Sequence, residues 1–141
     1  MTPSPTILAA REELASYLNQ NPVISSFDAL TTYCQLQLAP SRVEVFHVLF
    51  LDRKNRLIAD LPLSTGTVDH VPVYIREVIR SALLNDASAM ILVHNHPSGD
   101  PSPSTDDIQI IKAAKIFNIV VHDHLIVAPT SHYSMKSKGD I

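Results

Sequence analysis

The chain has few residues from which to build covalent cross-links, with a single cysteine, Cys34, among 141 residues. One cysteine cannot form an internal disulfide, and it cannot supply the several thiolates of a structural zinc site. Any metal site must therefore draw on the seven histidines and on carboxylates. Cys34 falls at helical spacing among apolar residues, which favours a core position over a nucleophile.

Excess positive charge and long apolar runs are also missing. Eleven Lys and Arg against 14 Asp and Glu give a net charge of -3 with neutral histidines, which gives no support to a nucleic-acid-binding face. No apolar run approaches the roughly 18 residues of a membrane helix. The first apolar residues run directly into Arg11, Glu12 and Glu13, unlike a signal peptide. We therefore expect a cytoplasmic protein with no membrane partner.

Apolar residues are plentiful at 45% of the chain, which excludes intrinsic disorder. At roughly 150 residues per domain, the length predicts a single domain. A lead and a short helix are expected over 1–22. The apolar spacing predicts helices over 7–18, 27–38, 73–86 and 104–117, and strands over 43–51, 57–63, 90–93, 119–121 and 125–128, with an edge strand from 133. This alternation predicts an α/β protein with a mixed sheet.

The segment that follows the predicted strand over 90–93 has the composition of a functional loop. It begins with His94 and His96 and contains three prolines and a glycine before the next helix. If the strand persists to His96, both imidazoles project from the same face, as two ligands of one metal would. Asp107, the third residue after Ser104, which opens that helix, could complete a set of two histidines and a carboxylate with an open position for water.

Each of these residues also has a structural interpretation. Ser104 and Asp107 have the spacing of a helix cap, and acidic residues suit the positive end of a helix dipole. Glu44 lies near the start of the predicted strand over 43–51 and is a further candidate. It could be an exposed strand residue beside Arg42, although its apolar neighbours mean that burying an unpaired carboxylate there would cost free energy. The combination of all these features in one strand-to-helix connection favours a metal site, because open α/β sheets place their ligands at such connections.

The pattern in this loop resembles the RadC branch of the JAMM (MPN+) metalloprotease domain. That pattern is His-x-His, seven residues, Ser, two residues and Asp, with a glutamate on an earlier strand. The matching residues are His94, Asn95, His96, Pro97, Ser98, Gly99, Asp100, Pro101, Pro103, Ser104 and Asp107, with Glu44 as the glutamate. Further similar positions are Gly66-Thr67, Arg76-Glu77, Asp123-His124, Ser134 and Gly139. The resemblance covers about residues 23–141.

The resemblance implies a three-layer α/β/α sandwich of the cytidine-deaminase-like type. It implies that His94, His96 and Asp107 hold Zn²⁺, and that Glu44 is the general base and then the general acid. Ser104 would donate a hydrogen bond to the oxyanion of the transition state. The implied reaction is hydrolysis of a peptide or isopeptide bond in a peptide or protein substrate.

Other interpretations stay open. Full-length RadC-like chains usually carry an N-terminal helix-hairpin-helix region. We expect the residues ahead of Glu44 to be too few to form that region in addition to the two predicted helices. The domain could be a non-catalytic module associated with DNA repair, or a metal-dependent nuclease. Two histidines and a carboxylate also describe iron oxygenase sites, so zinc is a preference among metals. The cluster of His122, Asp123 and His124 could bind a second metal, orient the first ligands or be structural.

Overall fold

The computed structural model describes residues 3–38, 40–65, 75–97, 105–128 and 131–139, without the side chains of 64, 65 and 105–107. Within these ranges the chain forms four α-helices, a short 3₁₀ turn and one five-stranded sheet. The helices are α1 (Pro5–Gln20), α2 (Phe27–Leu38), α3 (Ile75–Leu84) and α4 (Thr105–Ile116), and the strands are β1 (Val45–Leu51), β2 (Leu57–Thr65), β3 (Ala89–Asn95), β4 (Val120–Val127) and β5 (His132–Ser134).

The strands lie in the order β2-β1-β3-β4-β5. Strand β1 is antiparallel to both β2 and β3, whereas β3 and β4 are parallel, so the sheet is mixed. A parallel pair needs a long crossover connection, and α4 lies within the one that joins β3 to β4. The sheet therefore combines a hairpin at one side with a strand-helix-strand unit at its centre.

Helices cover both faces of the sheet. One core cluster joins residues of α1 and α2, such as Leu18 and Leu30, to Leu49 and Ile91 of the sheet. The other joins α3 and α4 residues, such as Val78 and Ile110, to the opposite face. The fold is thus an α/β structure of three layers, as the resemblance to the JAMM (MPN+) domain implies. Strands β1 and β3 are apolar along nearly their whole length because both faces of these central strands are buried.

Strands β4 and β2 differ from the sequence prediction for identifiable reasons, and β3 is longer than predicted at both ends. Strand β4 is continuous over Val120–Val127 instead of two pieces separated by His122, Asp123 and His124. Asp123 is tolerated within the strand because its buried carboxylate accepts hydrogen bonds from Ser134 Oγ at 2.5 Å and from the His124 and Lys136 amides at 2.7 and 3.1 Å. Strand β2 continues past Pro62, since it is an outer strand where proline's missing N–H costs little.

The N-terminal helix belongs to the same core as the rest of the described chain. It is longer than predicted, with Ser4 as its N-cap and Pro5 at its first position. Leu18 is fully buried, and Asn19 Nδ2 donates to the Leu57 carbonyl at 2.8 Å. The division of the chain at residue 22 stays a prediction. None of the helices in the described part is both long and apolar enough to cross a membrane.

The Asp123–Ser134 hydrogen bond should contribute measurably to stability. Replacing Ser134 with Ala leaves a buried carboxylate oxygen without its hydroxyl donor, which should lower the free energy of unfolding by about 1–3 kcal/mol. Urea denaturation of both proteins measures this difference. Ser16→Ala, on the exposed side of α1, is the matched control and should change stability by less than about 0.5 kcal/mol. Equal effects from the two substitutions would contradict the assignment.

Candidate metal centre

The pairing of β1 with β3 brings Glu44 and the two histidines together. Phe46 pairs with His94 in this antiparallel ladder. Continuing the register by two residues sets Glu44, just ahead of β1, opposite His96. Because side chains alternate along a strand, Glu44, His94 and His96 share the face covered by α3 and α4.

The three side chains are close enough to share an ion. One ligand atom from each, a carboxylate oxygen and two imidazole nitrogens, lies within 4.8 Å of the others. The His94 and His96 rings are 4.7 Å apart between centroids and nearly perpendicular. Glu44 Oε1 lies 3.8 Å from His96 Nε2, which is beyond hydrogen-bond length. Glu44 is 6% exposed and His94 3%, so the cluster lies at a largely buried end of the sheet.

The backbone explains why both imidazoles reach the same face. Strand β3 ends at Asn95, but the His96 amide still donates to the Val127 carbonyl at 2.8 Å. The ladder with β4 therefore extends one residue further, and the alternation of side chains extends with it. The prediction that both imidazoles project from one face required strand geometry to persist to His96, and the structure shows that it does.

Asn95, between the two histidines, points to the other face and holds the chain ahead of β1. Its Oδ1 accepts from the Val45 amide at 2.7 Å, and its Nδ2 donates to the Val43 carbonyl at 2.9 Å and more weakly to that of Ser41 at 3.5 Å. Sequence reasoning assigned Asn95 no role. A signal was available, since asparagine is depleted in strands and a buried one needs polar partners.

His124 lies next to His94, deeper in the core than the histidine pair. It is fully buried on β4, and its ring centroid lies 5.1 Å from that of His94 and 6.1 Å from that of Phe46. The three imidazoles thus run from the partly exposed His96 through His94 into the core. This position agrees with an orienting or structural role for His124 and not with a separate site.

Two residues predicted for the site fall beyond what the structure describes. Ser104 lies outside the described ranges, and Asp107 lies in the first turn of α4 with its side chain outside the description. Their roles stay predictions. Among the described residues, the carboxylate beside the two histidines is that of Glu44.

A second buried polar cluster lies on the opposite face, between α2 and the hairpin. Asp60 accepts from Tyr33 Oη at 2.5 Å and from Gln37 Nε2 at 3.3 Å, and its other oxygen is 2.8 Å from His47 Nδ1. Burial, reinforced by the Asp60 charge, raises the pKa of Tyr33. These groups satisfy one another, which indicates a structural network.

Cys34 is a core residue, as the sequence predicted. It is buried in the cluster formed by α1, α2 and the sheet. Burial, with a smaller contribution from the charge of Asp60, raises the pKa of its thiol well above the ordinary value. Because the thiolate is the nucleophilic form, this cysteine is inert as a nucleophile at neutral pH.

The donor set around His94 fits a divalent cation. Imidazole nitrogens and a carboxylate oxygen are ligands that zinc takes in catalytic sites, and iron takes the same combination. A carboxylate beside two ligand imidazoles can bind the ion or exchange protons with water close to it. The geometry therefore supports a metal centre without fixing which metal it holds.

Comparison with known proteins shows the family of this chain. The family model described as a RadC-like JAB domain matches residues 24–140. A UPF0758 protein of Rhodobacter capsulatus is 54% identical over 136 residues, which cover 93% of this chain and 64% of that protein. The chain thus spans a little under two thirds of the length of this curated relative. The matched region includes Glu44 and both histidines, and the chain belongs to the RadC-like JAB domain family.

Proposed function

We propose that the chain is a zinc-dependent hydrolase of peptide or isopeptide bonds. The observation that carries the proposal is the buried convergence of Glu44, His94 and His96, with their ligand atoms within 4.8 Å of one another. A carboxylate costs free energy to bury beside apolar strands unless a cation or a proton-transfer role compensates. Membership of the JAB domain family supports a metal-dependent hydrolase-like domain.

In this proposal His94, His96 and Asp107 hold the ion, and Glu44 remains a proton carrier. Bound zinc supplies a Lewis acid that lowers the pKa of water toward neutrality. The Glu44 carboxylate accepts the proton of the attacking water and later donates it to the leaving amine, as general base and then general acid. The burial of Glu44 and His94 restricts competing bulk water around that proton.

Ser104 has the role of an oxyanion donor in this mechanism. Its hydroxyl donates a hydrogen bond to the carbonyl oxygen as negative charge develops there. Removing one such donor costs about 3–4 kcal/mol of transition-state stabilisation in well-studied hydrolases. The net charge of -3 gives no support to a nucleic-acid substrate, and a peptide or protein substrate needs no excess of positive charge.

The histidine pair should control metal content. His94→Ala and His96→Ala each remove one ligand, and Zn²⁺ affinity should fall by more than about tenfold. Mutating even a residue that only hydrogen-bonds to a metal ligand lowers metal affinity by roughly 10–100-fold. Elemental analysis and Zn²⁺ titration of the purified protein measure the loss. His132→Ala, at an exposed histidine of β5, is the matched control and should bind zinc like the wild type. Unchanged affinity in both ligand variants would rule out this centre.

Asp107→Ala and Glu44→Gln should separate the ligand carboxylate from the proton carrier. Asp107→Ala should lose zinc, because it removes the third ligand. Glu44→Gln should keep zinc and lower kcat for peptide cleavage by about 10²–10⁴-fold, because the amide cannot accept a proton. Zinc titration and a peptide-library cleavage screen provide the two measurements, with the exposed Glu13→Gln as the control that retains both properties.

Three outcomes of these measurements would contradict the proposal. Loss of zinc in Glu44→Gln with retention in Asp107→Ala would make Glu44 the third ligand. Magnesium-dependent plasmid cleavage that survives Glu44→Gln would favour a nuclease. A zinc-loaded wild type that cleaves no peptide in the library would favour a non-catalytic interaction module.

A further inference from the structure

We infer that Asn95 is a positioning residue, whose side-chain amide sets where the Glu44 carboxylate stands relative to the two imidazoles. The inference rests on the proposed hydrolase function, in which Glu44 moves the proton. It concerns a residue that lies between the ligands in sequence but does not share their face of the sheet.

The side-chain amide of Asn95 hydrogen-bonds to both peptide groups that flank the Glu44 Cα. Its Oδ1 accepts from the amide of Val45, which belongs to the peptide group after Glu44, at 2.7 Å. Its Nδ2 donates to the carbonyl of Val43, which belongs to the peptide group before Glu44, at 2.9 Å. A donor and an acceptor on one planar group therefore fix Glu44 from both sides along the backbone.

The two hydrogen bonds from the Asn95 side chain to Val43 and Val45, called the clamp below, lie where the regular sheet has not yet begun. Strand β1 starts at Val45, and its ladder with β3 begins with Phe46 opposite His94. Glu44 lies ahead of both, so the β1–β3 register sets the face to which it belongs, but Glu44 is not itself a paired residue of the ladder. The Asn95 side chain supplies the missing contacts from β3, the strand that carries His94 at its end.

The position of Asn95 couples the acid to the histidines. Asn95 is 1% exposed, and its backbone lies in the ladder between β3 and β4, paired with Val127. Its neighbours on either side are His94 and His96, so any shift of this strand end moves the imidazoles and the clamp together. The distance from Glu44 to His96 is thereby set through one short stretch of backbone.

Amide exchange in the metal-free protein tests the clamp itself. Asn95→Leu keeps the branching at Cγ but replaces the amide oxygen and nitrogen with methyl groups, which removes both hydrogen-bonding groups, so the Val45 amide should exchange with solvent at least about tenfold faster. Asn85→Leu is the matched control. Asn85 also donates from Nδ2 to a backbone carbonyl, that of Ser81, but this bond lies at the end of α3 and does not involve Val43 or Val45. Asn85→Leu should therefore leave the exchange rate of the Val45 amide unchanged. Equal Val45 exchange in wild type and Asn95→Leu would overturn the inference.

Co²⁺ loading tests the position of Glu44 without any need for catalysis. The pseudocontact shift of the Glu44 amide depends on its position relative to the paramagnetic ion. It should change in Asn95→Leu and stay unchanged in Asn85→Leu, while the Co²⁺ affinity of both variants stays within about threefold of the wild type. A fall in Co²⁺ affinity of more than tenfold in Asn95→Leu would show instead that Asn95 acts on the metal-binding histidines, which would overturn the inference.

A double-mutant cycle with Glu44→Gln tests the functional consequence. Asn95→Leu alone should lower kcat for peptide cleavage by about 10–100-fold with little change in KM, as expected when only transition-state positioning is lost. In the Glu44→Gln background the same substitution should cause no further loss. Equal losses in both backgrounds would contradict action through Glu44. If the wild type cleaves no peptide, the proposed function fails, whereas the exchange and Co²⁺ measurements still decide whether Asn95 positions Glu44.

Discussion

The candidate site depends on one register, the antiparallel pairing of β1 with β3 that sets Phe46 opposite His94. A shift by one residue would turn Glu44 to the other face of the sheet, because side chains alternate strictly along a strand. That register is enforced by the burial of both faces of the two central strands, where Phe46, Phe50, Met90 and Leu92 pack against α3 and α4. The apolar core and the polar end of the sheet are therefore specified by the same pairing.

Most of the fold could be predicted from apolar periodicity, and the exceptions have identifiable causes. The helix over Phe27–Leu38 and the first strand agree closely with their patterns. Strand β4 was divided in the prediction because His122, Asp123 and His124 resemble a loop in sequence. The partners of Asp123, Ser134 Oγ and the Lys136 amide, lie near the end of the chain, and contacts over that separation leave no local periodic signal.

The site was predictable to a similar extent. The two histidines and Glu44 were identified from their motif, and the structure places them together. The roles of Ser104 and Asp107 rest on the motif alone. An asparagine within a buried strand could be recognised from sequence as needing polar partners, but the partners of Asn95 could not be identified. They are backbone groups of Val43 and Val45, about fifty residues away, which carry no signature in their residue types.

The outer strand β2 has a further consequence for how copies of this protein behave in concentrated solution. A nine-residue strand at the border of a sheet would normally offer a template on which a neighbouring molecule could add its own strand. Here Pro62 removes one donor, and the pairing with β1 shifts between Phe46 and His47 and again between Phe50 and Leu51. These interruptions break the template into short pieces, which disfavours fibrous self-assembly along this border.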